Sequence, residues 1–210
     1  MIDRVKNLEE IKSEVGSLAQ IIVVTKNHDF QEILPLLEAN HLHFGENKVQ
    51  EAYGKYRDAK IDFPNIKLHL IGSLQTNKVK DATRLFDYIH TIDRKNLCDE
   101  IKKQLDKTNK KIELFIQVNT GNEPNKGGVS KDGLDALFNH CQKLPLPITG
   151  LMCIPPVHED PLPHFSWLKQ RAKDYSLKNL SMGMSNDYKQ ACLTGSTFLR
   201  VGTAIMGQRI

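Results

Sequence analysis

No apolar run in the chain approaches the eighteen or so residues that a membrane-spanning helix needs, so no membrane partner is expected. The first fifteen residues, "MIDRVKNLEEIKSEV", carry charge throughout and lack the apolar core of a secretory signal, which makes a cytoplasmic location the expectation. Cysteine is sparse. Cys98, Cys141, Cys153 and Cys192 form neither a CxxC pair nor a His/Cys spacing, so reduced packing thiols are expected and a zinc site is not. Neither sign of charge dominates: 29 basic residues face 25 acidic ones, giving +4. Basic runs such as "IKKQLDKTNKK" lack interleaved aromatics, so a nucleic-acid partner is not expected. There is no G-x-S-x-G elbow, no HExxH, and no acidic pair that stands out for glycoside hydrolysis. Nor is there a compositional linker to divide the chain.

What is present suits a packed globular domain. Hydrophobic residues make up 40% and charged residues 26%, and 210 residues point to one domain spanning 1–210. Ile2, Val5, Leu8, Ile11 and Val15 recur at helical spacing, predicting an N-terminal amphipathic helix. "IIVVTK" then reads as a strand covered on both faces. Seven more strand candidates follow: "HLHFG", "IKLHLIG" at 66–72, "FDYIHTID" at 86–93, "KIELFIQVN" at 111–119, "PITGLMCIPP", "LKNLSMG" and "STFLRVG". Helical patterns separate most of them, including one over 29–39 in which Pro35 is awkward. Repeated strand–helix units allow an open doubly wound sheet or a closed barrel. Eight units favour the (β/α)8 TIM barrel, here a compact one.

A barrel gathers its chemistry at the C-terminal ends of its strands. Lys26 ends strand one. By itself it fits both a solvent-facing cation and a Schiff-base amine, whose attack on an aldehyde needs the deprotonated form. In "SMGMSND", Ser185 fits an ordinary helix N-cap and equally a phosphate contact, while Met182 and Met184 read as apolar wall. Gly202 and Thr203 in "LRVGTAIMG" offer close backbone approach and a hydroxyl, and phosphate sites of this fold commonly follow strands seven and eight. Arg200 either snorkels outward or points at the ligand as a permanent donor; opposite a heterocyclic nitrogen it opposes that atom's protonation. Asn47, His69, Gln75, Asn77, Lys78 and Asn119 supply further polar groups, each also explicable as a cap or turn contact. His43 and His69 fit satisfied core histidines as well, and Lys126 in "NEPNKGG" fits a mobile loop charge or a residue folding over a ligand.

Together "VVTK", "HFGENKVQE", "HLIGSLQTNK", "IDR", "IQVN", "GLMCIPP", "LSMGMSNDY" and "GSTFLRVGTAIMG" resemble the pyridoxal phosphate homeostasis protein family, in order from about residue 18 to 208. These are small relatives of the N-terminal barrel of alanine racemase. The resemblance implies a single TIM barrel of the alanine racemase N-terminal domain type, with the additional N-terminal helix. It implies pyridoxal 5'-phosphate (PLP) attached covalently through Lys26. Ser185, Gly202 and Thr203 would hold the phosphate, Arg200 would approach the pyridine nitrogen, and Asn47 would lie near the ring. His69 is carried as a further cofactor contact, and Lys126 as a loop residue in cofactor exchange. The sequence departs from the family pattern at Thr25, Lys48, Leu68 and Gly127, none of which removes the apparent anchor. The implied function is intracellular PLP (vitamin B6) homeostasis by a regulatory or carrier protein with no established turnover. PLP and PLP-dependent apoenzymes are the expected partners, and a monomer is expected because closed barrels stand alone. The alternative is a PLP-dependent enzyme such as an amino-acid racemase. With the chain ending at Ile210, no segment is expected for the second domain that supplies such a racemase with its acid–base tyrosine.

Overall fold

The computed structural model describes residues 2–108 and 110–208. The chain opens with α1 (Arg4–Val15), followed by β1 (Gln20–Val24), α2 (Phe30–Glu38), β2 (His43–Glu46), α3 (Val49–Tyr56), α4 (Ala59–Asp62) and β3 (Lys67–Leu70). Next come α5 (Val79–Leu85), β4 (Tyr88–Ile92), α6 (Lys95–Leu105), β5 (Glu113–Asn119), β6 (Val129–Ser130) and α7 (Leu134–Lys143). The last elements are β7 (Ile148–Cys153), α8 (Pro161–Asp174), β8 (Asn179–Ser181), α9 (Tyr188–Thr194), β9 (Phe198–Val201) and α10 (Thr203–Met206).

Eight of the strands pair in parallel around a closed circuit, β1-β2-β3-β4-β5-β7-β8-β9 and back to β1. The closing pairs run from Gln20↔Phe198 to Val23↔Val201. All eight strands expected from the sequence are present, and the doubly wound alternative is excluded because the sheet has no open break between β4 and β5. The two-residue β6 is an addition, paired with the end of β5 through Val118↔Val129.

Strand alternation divides the core in two. Ile22, Phe115, Met152 and Phe198 pack together inside the lumen, while Ile21, Val23, Leu114, Ile116, Leu151 and Leu199 pack against the helices. A strand buried on both faces therefore reads as a continuous apolar run, as "IIVV" does. Each fully buried side chain of this size contributes about 1.5–3 kcal/mol relative to exposure.

Helix α1 completes the outer ring. The helix that follows β9 is only the four residues of α10, and α1 packs beside it and between α2 and α9. It buries Leu8, Ile11 and Val15, and the Asn7 side chain donates to the Ile205 carbonyl at 3.1 Å. Helix α2 keeps Pro35 in its interior, with the Glu32 carboxylate accepting from the Asp29 N–H at 3.1 Å to secure its start. Among the described residues, no helix is long and apolar enough to cross a membrane.

Candidate functional site

The inward phase of each strand continues past the strand's end, and this positions the site. Stepping by two residues, Ile22 leads to Val24 and Lys26, His43 to Gly45 and Asn47, and His69 to Ile71. Met152 likewise leads to Ile154, and Phe198 to Arg200 and Gly202. The upper members of these series line one cavity of about 680 Å³ at the C-terminal ends of the strands. Val24, Ile71 and Ile154 give it an apolar floor, and Lys26, Asn47 and Arg200 supply polar groups around it.

Three loops close the rim. Ser185 comes from the turn before α9, and its Oγ accepts from the Ala204 N–H at 3.2 Å, which ties that turn to the start of α10. The N-cap of α9 is Asp187, so the helix-cap reading of Ser185 gives way to this link across two loops. The turn is set by Gly183 at φ +92°, where a Cβ would lie 2.5 Å from that of Ala191. Gly202 and exposed Thr203 face the same cavity. Asn47 is held by a close backbone approach, because a Cβ on Gly72 would come within 2.3 Å of the Asn47 carbonyl oxygen.

Arg200 is 4% exposed, with Nη1 donating to Ser181 Oγ at 2.7 Å and Nη2 to the Cys153 carbonyl at 2.8 Å. Burial draws its pKa below the usual guanidinium value, while Cys153 and Asp187 oppose that shift. Among the described residues no carboxylate lies in ion-pair contact with it. A buried cation on a cavity wall without a carboxylate partner suits an anionic or electron-rich ligand.

The structure brings Lys26, Asn47, Ser185, Arg200, Gly202 and Thr203 to this one cavity; it does not bring His69 there. The alternation explains the correction. His69 sits two residues below Ile71, one layer deeper, and is fully buried with both ring nitrogens engaged by His43 and His90. Lys126 does not line the cavity; it pairs with Glu123 at 2.6 Å and donates at 3.3 Å to the carbonyl of Pro155, which does.

Sequence reasoning missed the group that supports Lys26 from behind. Thr25 and Glu46 sit in the outward phase of their strands, both fully buried. Thr25 Oγ1 donates to Glu46 Oε1 at 2.7 Å and shares a 2.7 Å contact with the Tyr56 hydroxyl. Lys55 Nζ donates to the same carboxylate oxygen at 2.7 Å and to the Thr25 carbonyl at 2.6 Å, and pairs with Glu51 at 2.9 Å. Glu51 in turn accepts from the Asn27 N–H. The residues on both sides of Lys26 are therefore pinned by one polar cluster. Burial pushes the Glu46 carboxyl upward, with Lys55 and Thr25 pulling against it. The available signal was the outward phase of two polar residues at adjacent strand ends, which becomes legible only with the β1–β2 register.

The profile of the family described as "Alanine racemase, N-terminal domain" matches residues 5–209. A pyridoxal phosphate homeostasis protein of Aquifex aeolicus is 43% identical over 176 residues, covering 79% of this chain and 76% of that one. The protein of that name in Vibrio cholerae is 35% identical, over 97% of this chain and 95% of its own. Among solved structures, PipY of Synechococcus elongatus with PLP bound superposes with a TM-score of 0.90 at 31% identity, covering 98% of this chain and 100% of PipY.

Proposed function

This chain belongs to the pyridoxal phosphate homeostasis protein family, and from that premise we propose that its cavity holds PLP for storage or transfer. One observation carries the reading: Lys26, Asn47, Arg200, Ser185, Gly202 and Thr203, drawn from four strand ends, line a single cavity. Their chemistry suits the cofactor. Ser185, Gly202 and Thr203 offer hydroxyl and backbone donors to a phosphate, and Asn47 and the apolar floor fit the sides of a ring. PLP supplies an aldehyde, which a deprotonated primary amine takes up with loss of water.

In this reading Lys26 provides that amine from a fixed position, since Thr25 and Asn27 are clamped by the cluster around Lys55. Arg200 has only protons to give. Presented to a pyridine nitrogen, it holds that atom unprotonated and weakens the ring's pull on electrons. The residues thus favour retention over carbanion chemistry, and we assign a regulatory or carrier role without turnover, serving PLP-dependent apoenzymes. Among the described residues no tyrosine lines the cavity as an opposing acid–base group.

Borohydride reduction of the PLP-loaded protein followed by peptide mass spectrometry tests the assignment. The expected product is a reduced cofactor adduct on Lys26, absent in Lys26→Ala. An adduct found mainly on another lysine, or none, overturns it. Turnover of an amino-acid panel that depends on Lys26 would overturn the carrier role alone.

A further inference from the structure

Below the cavity, the barrel lumen contains an unbroken row of polar side chains. Arg200 Nη1 reaches Ser181 Oγ at 2.7 Å, and Ser181 Oγ lies 2.8 Å from His90 Nδ1. His90 Nε2 lies 3.0 Å from His69 Nδ1, and His69 Nε2 lies 2.9 Å from His43 Nδ1. Ser181, His69 and His90 are fully buried, and half-buried His43 marks the far end. Aromatic neighbours fix the ring planes. Tyr88 stacks on His69 at 4.1 Å and 7°, and Phe115 stacks on His90 at 4.3 Å and 4°.

Every ring is oriented alike, with Nδ1 toward Arg200 and Nε2 away from it. That uniformity leaves two possible directions for the whole row, and the guanidinium selects one. Arg200 can only donate, so the Ser181 oxygen accepts from it and the Ser181 proton needs another acceptor. The acceptor in reach is His90 Nδ1. This forces His90 to carry its proton on Nε2, which imposes the same tautomer on His69 and then on His43. Run the other way, the row would leave the Ser181 hydroxyl proton without a partner in a sealed core. Burial keeps His69 and His90 neutral and pushes His43 down to about 4, so all three rings have one donor and one acceptor at neutral pH.

We propose that Ser181, His90, His69 and His43 form a one-way hydrogen-bond column that locks the Arg200 guanidinium in its orientation toward the cavity. Ser181, His90 and His69 are thereby positioning residues for Arg200. The column itself is independent of the cavity's ligand; its effect on the cofactor ring rests on the PLP reading above.

The first test is direct. Nitrogen-15 NMR of the full chain at neutral pH, with and without PLP, should show His43, His69 and His90 each as the Nε2–H tautomer. A Nδ1–H tautomer at His69 or His90, or fast mixing of the two forms, overturns the proposal. The second test uses a pair of variants in PLP-loaded protein. His90→Leu removes both the acceptor and the donor, whereas His90→Gln restores one of each. The Leu variant should weaken PLP retention about tenfold and shift the cofactor's absorption band, and the Gln variant should stay within about twofold of the parent. Equal spectra and retention in all three, or equal losses in both variants, overturn the positioning role. Failure of the parent protein to take up PLP would instead overturn the PLP reading, leaving the tautomer result to stand alone.

Discussion

Two layers of one lumen, separated by a single step of strand alternation, are built for different ends. The upper layer has Lys26, Asn47 and Gly202 around an open cavity, and its polar groups face a space that a ligand can fill. The lower layer has His69, His90 and Ser181 packed among Phe115, Tyr88 and Phe198, and its polar groups satisfy one another. The same residue chemistry is thus a binding surface at one height and a sealed network at the next. Arg200 is the member that belongs to both.

That contrast predicts where substitutions will register. Truncating the lower layer should reach stability most strongly: Phe115→Ala removes a fully buried ring and should lower the unfolding free energy by about 3–5 kcal/mol in urea titration. A loss under about 1 kcal/mol would mean that the lower layer can collapse, and the contrast would fail. Acid should act on the rings of the lower layer, and also on His41, which packs against Phe44 outside the lumen. Buried His41 is pushed down to about 4, and His43, His69 and His90 are lowered too, all chiefly by burial. Each ring is neutral when folded and protonates readily once unfolded, so the unfolded chain binds more protons below pH 6.5. Stability should therefore be complete above that pH and fall progressively toward pH 4, His41 alone accounting for about 3 kcal/mol. Flat stability across this window would show that these rings are charged in the folded state. The smallest effect on stability belongs to the mouth. Ser185→Ala deletes one rim hydrogen bond and should change unfolding by about 1 kcal/mol or less, yet weaken PLP binding about tenfold as measured by equilibrium dialysis. Equal affinity in the variant would remove Ser185 from the phosphate contacts.

Much of this arrangement is legible in the sequence, and the illegible part has a common cause. Strands β1, β5 and β7 announce themselves because burial on both faces leaves near-continuous apolar runs, and the polar residues at the strand exits mark the cavity. Helices α3 and α5 are quieter because, at 8 and 7 residues, they show only about two turns of pattern, in which α3 buries Val49, Ala52 and Tyr56 and α5 buries Val79, Ala82, Thr83 and Leu85. His69 lies near the end of β3, yet depth within a lumen depends on phase and register, which the local sequence does not carry. The same holds for the column and for the Thr25–Glu46–Tyr56 cluster. The hydrogen-bonded partners within them lie 21 to 91 residues apart, so no local pattern connects them.

The closing pair of strands carries a consequence for how the molecule is made. Strand β1 finds its second neighbour only in β9, and Asn7 finds Ile205 across 198 positions of chain. During synthesis at about 5–20 residues per second, β1 waits roughly 10 to 35 seconds with one edge exposed. Ring closure is therefore a late event in the birth of this protein. A nascent chain stalled before residue 198 should be protease-sensitive at its N-terminal helix, which becomes a fixed part of the wall once the last strand has arrived.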